Sequence, residues 1–219
     1  MHFCIIVSLK TFNDDAPMKN FIKKNSLYIL TTLAVIVVFY LLLNWSTMPV
    51  IQRMVSLFFC AVVLHLWEEG RFPGGFTEMI TRKLDFTQLD PHFGEFITAD
   101  YVLIITFVPL FFPNVTWLAI APMLLGILEV IAHLGAIRMF NLQRLYSPGL
   151  VTAVFVMLPI SIYTIVYVVQ NDLMQPVFWL FSLIYMVIGV LIAQQIVVRM
   201  NGMKYSEFLK KVRATIFAK

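Results

Sequence analysis

Residues 50–69 read VIQRMVSLFFCAVVLHLWEE, and the way this stretch ends decides how the rest of the chain is read. Twenty residues at a rise of about 1.5 Å make a helix of about 30 Å, the thickness of a bilayer's hydrocarbon core. The run is largely apolar until His65, Glu68 and Glu69 close it. Carboxylates at the foot of a hydrophobic helix are costly unless they are wet, neutralised or paired. His65 and Glu69 stand four apart, so on a helix they share one face and can hold a ligand between them. A second apolar run carries the same chemistry in reverse order, Glu129-Val130-Ile131-Ala132-His133.

The 219 residues are 60% hydrophobic and only 13% charged, with 20 phenylalanines and a mean hydropathy of +0.86. A soluble domain carries about a quarter charged residues, so the class is an all-α polytopic membrane bundle. The net charge of +4 then reports orientation in the bilayer, and no nucleic-acid partner is implied. Cys4 and Cys60 lie too far apart in sequence and in too different surroundings to suggest a disulfide framework or a metal clip.

Six transmembrane helices are expected at about 26–43, 50–69, 97–112, 115–137, 149–169 and 176–198. They form a single membrane domain over 26–198, between an N-terminal tail (1–25) and a basic tail (199–219). Met18 to Lys24 reads as a natural start, with residues 1–17 a loose tail or an extension. Residues 76–96 are the longest polar connection, and Met79, Ile80, Leu84 and Phe86 suit a short segment on the membrane surface. Pro122 is expected to kink the fourth span and free backbone carbonyls.

With six spans, one side of the membrane receives 15 of the 16 Lys and Arg residues, leaving Arg53 on the other. The positive-inside bias makes the crowded side cytoplasmic, with both termini there. The reading is a multi-pass protein of the cell (inner) membrane. His65 and Glu129 then fall at matched depth, roughly 21–23 Å below the outer boundary.

His65, Glu69, Glu129 and His133 are the candidate metal ligands, for iron, zinc or manganese. The spacing also occurs, mirrored, in helical di-metal carboxylate sites. Glu68 and Asp100 are candidate catalytic groups, as general base or further ligand. Asn141, Tyr146, His92 and Glu95 are candidate outer partners, although a hydrated helix start also accounts for His92, Glu95 and Asp100. Toward the outer side, helix five offers Thr152, Ser161, Tyr163, Thr164 and Tyr167.

His65-x-x-Glu68-Glu69, Glu129-x-x-x-His133 and Tyr146-x-Pro148-Gly149 occur in this order. The chain resembles a family of integral membrane proteins named for its His-x-x-Glu-Glu motif, over about residues 50–150. The resemblance implies a metal-binding, enzymatic membrane domain of uncharacterised function and names no substrate.

Three functions are compatible with these residues. The first is a membrane metalloenzyme, a hydrolase or an oxidase/hydroxylase, taking a lipid or isoprenoid from the cytoplasmic leaflet. The second is a metal-free lipid isomerase or cyclase working by His/Glu acid–base chemistry. The third is a proton-coupled carrier, which the missing inverted repeat and the one-sided polar groups argue against.

Overall fold

The computed structural model describes residues 17–85 and 89–217. The expectation for residues 1–16 lies outside them. The described residues are all-helical, without strands, and six helices are long and apolar enough to cross a membrane. In chain order the elements are α1 (Pro17–Lys24), α2 (Ser26–Asn44), α3 (Val50–Gly70), α4 (Phe76–Lys83) and α5 (Pro91–Val102). They continue with α6 (Thr116–Met139), α7 (Leu150–Thr152), α8 (Leu158–Gln170), α9 (Pro176–Met200) and α10 (Tyr205–Phe217).

The most buried spans are α3 and α6, while α9 buries little of its surface and presents Leu180, Ile184, Ile188 and Ile192 outward. The main core therefore gathers on α3, where Val55, Phe58, Phe59 and Val62 pack against Ile120 and Met123 of α6 and Met157. An outward apolar surface is what a lipid-facing helix requires, since the bilayer replaces water as the solvent.

Two spans are built from unlike turns. α5 continues through a widened π turn (Leu103–Phe107) and a 3₁₀ turn (Val108–Phe111), and α7 joins α8 through a π turn (Ala153–Met157). Each π turn precedes a proline, Pro109 or Pro159, which has no N–H to donate. The Val108 N–H reaches back to the Leu103 carbonyl, which leaves the Ile104 carbonyl free to accept from the Tyr185 hydroxyl at 3.0 Å. Pro122, the proline expected to disrupt its span, sits inside an α6 that stays α-helical through it. The widened turns fall at the other two prolines instead.

The ends differ from the sequence expectation in three places. The third span begins at Pro91 rather than 97, because the Asp90 side chain accepts from the His92 N–H at 3.0 Å and caps it. Burial opposes the Asp90 charge, but the Lys23 ammonium at 2.8 Å and the backbone N–H groups outweigh it and hold the carboxyl below its ordinary range. α1, in the stretch expected to be a tail, is thereby tied to α5. The basic tail likewise contains α10, which returns Phe208 onto Leu84, Ala136, Phe140 and Val198. Lys211 contacts Asp85 there. α4 is the short amphipathic segment expected in the polar connection.

Candidate metal centre

The site lies at the end of the bundle where α3 and α6 both approach their C-termini. Trp67 fixes the last turns of α3: its indole N–H donates to Thr31 Oγ1 at 2.8 Å, and its ring packs edge-on against Tyr28 and stacks on Phe72. With α3 locked in this rotation, His65 and Glu69 face α6, and the i,i+4 pair on α6 faces back.

The two pairs interleave. His65 Nε2 lies 3.6 Å from Glu69 Oε1 on its own helix and 3.8 Å from Glu129 Oε2 across the gap. His133 Nε2 lies 3.3 Å from Glu69 Oε1 across the gap and 3.8 Å from Glu129 Oε2 on its own helix. One donor atom from each of the four residues falls within 4.8 Å of all the others. Both imidazoles are buried, Glu69 is 18% exposed and Glu129 28%.

Hydrogen bonds decide which imidazole nitrogen carries the proton. His65 Nδ1 is 3.0 Å from the Gly149 carbonyl, which can only accept, and 3.0 Å from Thr152 Oγ1. Its proton is therefore on Nδ1. His133 Nδ1 is 3.0 Å from Ser147 Oγ, whose own hydrogen points to the His133 carbonyl at 3.4 Å. That proton is on Nδ1 as well. Both Nε2 atoms thus aim lone pairs at carboxylate oxygens, and buried His133 Nε2 has no hydrogen-bond partner.

Four acceptors converging without a donor repel one another unless a cation lies between them. Donors about 2.0–2.2 Å from a tetrahedral ion stand about 3.3–3.6 Å apart; the four His–Glu separations are 3.3–3.8 Å, and all four donor atoms lie within 4.8 Å of one another. The residues present fit a single divalent ion.

The turn after α6 supplies the surrounding layer. Gly149 has φ +101°, and a Cβ there would stand 2.5 Å from His133 Cε1 and 2.8 Å from Glu69 Cγ. Only glycine can bring its backbone so near. Ser147 fixes His133, the Gly149 carbonyl fixes His65, and the Tyr146 hydroxyl donates to Glu68 Oε1 at 2.9 Å. Phe76, at the start of α4, covers the His133 ring with centroids 4.8 Å apart.

Glu68 does not join the four. Its oxygens accept from the Tyr146 hydroxyl, the Val151 N–H (3.1 Å), the Thr152 N–H (2.8 Å) and Thr152 Oγ1 (2.6 Å). It satisfies the first N–H groups of α7, the role a carboxylate fills at a helix N-terminus. Asp100 stands exposed on the wall of a separate cleft. Glu95 forms a two-pronged pair with Arg71 at 3.0 Å, and His92 contributes its backbone N–H to the Asp90 cap. Exposed Asn141 takes φ +49°, and the Leu142 N–H closes the last turn of α6 on the Ile137 carbonyl, so Asn141 terminates a helix. Thr152, placed toward the outer side from sequence, is at the site.

Sequence reasoning missed Ser147, Thr152, Phe76 and the Gly149 carbonyl. The signal for Ser147 was available, since the polar x of Tyr-x-Pro-Gly sits in a turn leading back toward His133.

The fold and the four convergent groups define a six-span helical membrane protein with a buried His/Glu metal-type centre. Residues 56–164 match the family model described as "Protein of unknown function with HXXEE motif". The chain belongs to that family, and the matched region contains the whole site. No curated protein and no solved structure gives a significant match.

Proposed function

We propose that the chain is an intramembrane metal-dependent enzyme that draws a lipid or isoprenoid substrate from the cytoplasmic leaflet. The observation that carries this reading is the buried, partnerless His133 Nε2 facing two carboxylates and a second unprotonated imidazole. His65, Glu69, Glu129 and His133 would hold a zinc, iron or manganese ion. Such an ion would supply Lewis-acid chemistry for a hydrolase, or redox chemistry for an oxidase or hydroxylase.

The chain's own residues do the rest. Gly149, Thr152 and Ser147 hold the imidazoles in the tautomer that presents Nε2, and such partners raise ligand basicity. Phe76 and the core on α3 keep bulk water from the histidines. Glu129 is the more exposed of the two carboxylates and is the group an incoming substrate meets first. The 15-to-1 division of basic residues supports a cytoplasmic position for this end.

A metal-free isomerase or cyclase would need protons on the Nε2 atoms to balance the two carboxylates. Nδ1 protons held on fixed acceptors are compatible with either reading, and the convergence of four donor atoms within 4.8 Å favours the metal one. Protein purified without chelating steps and analysed for zinc, iron and manganese tests it. A single divalent ion per chain is expected, and metal-free protein from several preparations would overturn the proposal.

A further inference from the structure

α5 with the π turn that follows it, α9, and Trp117 of α6 line an open cleft of about 480 Å³. That is a volume typical of small-ligand sites. Its wall on α9 runs from Phe181 to Ile196, about 22 Å at 1.5 Å per residue. Ile184, Ile188, Ile192 and Ile196 form an aliphatic strip open to the surroundings of the span. Trp117, packed edge-on against Phe181 and Tyr185, closes the end remote from the site.

Tyr101 lines the cleft. It packs against the same core of Ile105, Ala121, Leu125 and Met186 as Leu128, the neighbour of Glu129. Gly189 makes room for Tyr101, because a Cβ at position 189 would lie 2.6 Å from Tyr101 Cε2.

The polar groups at this level all accept. The Tyr101 hydroxyl donates its proton to the Met186 carbonyl at 3.3 Å, and the Tyr185 hydroxyl donates to the Ile104 carbonyl at 3.0 Å. Each phenol therefore turns only lone pairs toward the cleft. The exposed Asp100 carboxylate has no partner among the described residues. Among the lining side chains, the only other N–H or O–H is the Trp117 indole. It stands in the first turn of α6, packed edge-on against Phe181 and Tyr185. A carboxylate within a span is either hydrated or partnered, and a donor carried by an occupant of the cleft would partner Asp100.

From this arrangement we infer that the cleft binds one long-chain alcohol or amine, its hydrocarbon along α9 and its hydroxyl or ammonium donating to Asp100. Fatty acids and phosphate-headed lipids bring acceptors to acceptors and are excluded. The inference rests on the enzyme reading for its consequence, since it names the substrate class, but the binding itself requires no metal.

The test uses full-length protein in nanodiscs with a long-chain alcohol carrying a photoreactive diazirine in its chain. Cross-links mapped by mass spectrometry are expected on 184–196 of α9 and on α5. A long-chain amine should compete, and a fatty acid of equal length should not. Ile188→Trp places a ring in the cleft at a lipid-facing position that tolerates it, and should lower labelling tenfold or more. Asp100→Asn should erase the preference for amine over fatty acid. His133→Ala should lose metal yet keep labelling, which separates this inference from the proposed function. Labelling spread evenly over all lipid-facing helices, or unchanged by Ile188→Trp, would show annular lipid only and overturn it.

Discussion

The α-carbon of Gly149 is packed so closely on His133 that a Cβ would sit 2.5 Å from Cε1 and 2.7 Å from Nε2 of the imidazole. The turn and the ligand are thus one structure, and the glycine's φ of +101° adds a second demand for the same residue. A left-handed conformation costs a non-glycine residue about 1–2 kcal/mol before any clash is counted. Gly149→Ala is therefore expected to displace His133 and Glu69 together, lowering thermal stability and emptying the centre. Retention of full metal content and an unchanged melting temperature would contradict this packing.

Removing a ligand should act differently. His65→Ala, Glu129→Ala and His133→Ala each delete one of the four convergent donors, but the core on α3 and the lipid-facing surfaces are untouched. Each variant is expected to insert, purify as a monodisperse protein and lack bound metal by elemental analysis. Undiminished occupancy in all three would leave the proton-transfer reading standing. Ser147→Ala tests the outer layer: it deletes the acceptor for His133 Nδ1 and the donor to the His133 carbonyl and should weaken metal affinity by about 10–100-fold, measured by competition with a chelator.

Much of this was visible in the sequence, and for physical reasons. Bilayer-length apolar runs report themselves through composition, so the spans were found to within a few residues except at Pro91, where the Asp90 cap lay hidden among loop-like polar residues. The convergence of His65, Glu69, Glu129 and His133 was legible because i,i+4 spacing forces each pair onto one helix face. Glu68 was not, because neighbouring residues on a helix point about 100° apart and so meet different elements. Nothing in the local sequence says that the start of α7 will arrive beside it. Asn141 was misread for a similar reason: an asparagine that ends a helix and one that bonds a ligand look alike until φ is known.

Topology follows from charge. A reporter fused after Lys219 or placed within residues 76–85 is expected on the cytoplasmic side, and one at Asn171-Asp172, in the turn between α8 and α9, on the outside. A reporter within 76–85 found outside would reverse the expected orientation of the bundle and the leaflet proposed for substrate entry.

The Tyr146 hydroxyl gives a pH signature. Burial and then the Glu68 carboxylate push it up to about 12, above the ordinary phenol value of about 10. A group whose acidity is weakened on folding stabilises the fold below its unfolded pKa and loses that contribution as pH rises through the folded one. Wild-type stability should therefore fall from about pH 10 toward 12, and Tyr146→Phe should flatten that alkaline limb in thermal melts. At neutral pH the same substitution should cost about 1.5–3 kcal/mol, the range for a hydrogen bond to a charged group.

Glu68 separates two views of the motif. As a general base or a ligand it would be needed for chemistry; as the structure has it, four donors occupy its oxygens and it anchors α7 to α3. Glu68→Gln keeps the shape but turns one accepting oxygen into an NH₂ group. That group would face either the Val151 N–H and Tyr146 hydroxyl or the two donors of Thr152. Leaving buried donors unpaired costs about 1–3 kcal/mol, and the favourable charge at the helix N-terminus is lost as well. The variant should melt several degrees lower yet retain its metal, because the Nε2 atoms and the oxygens of Glu69 and Glu129 are untouched. Elemental analysis and a thermal melt on the same preparation read both quantities. A variant with wild-type stability that has lost its metal would place Glu68 among the ligands and undo its assignment as a helix anchor.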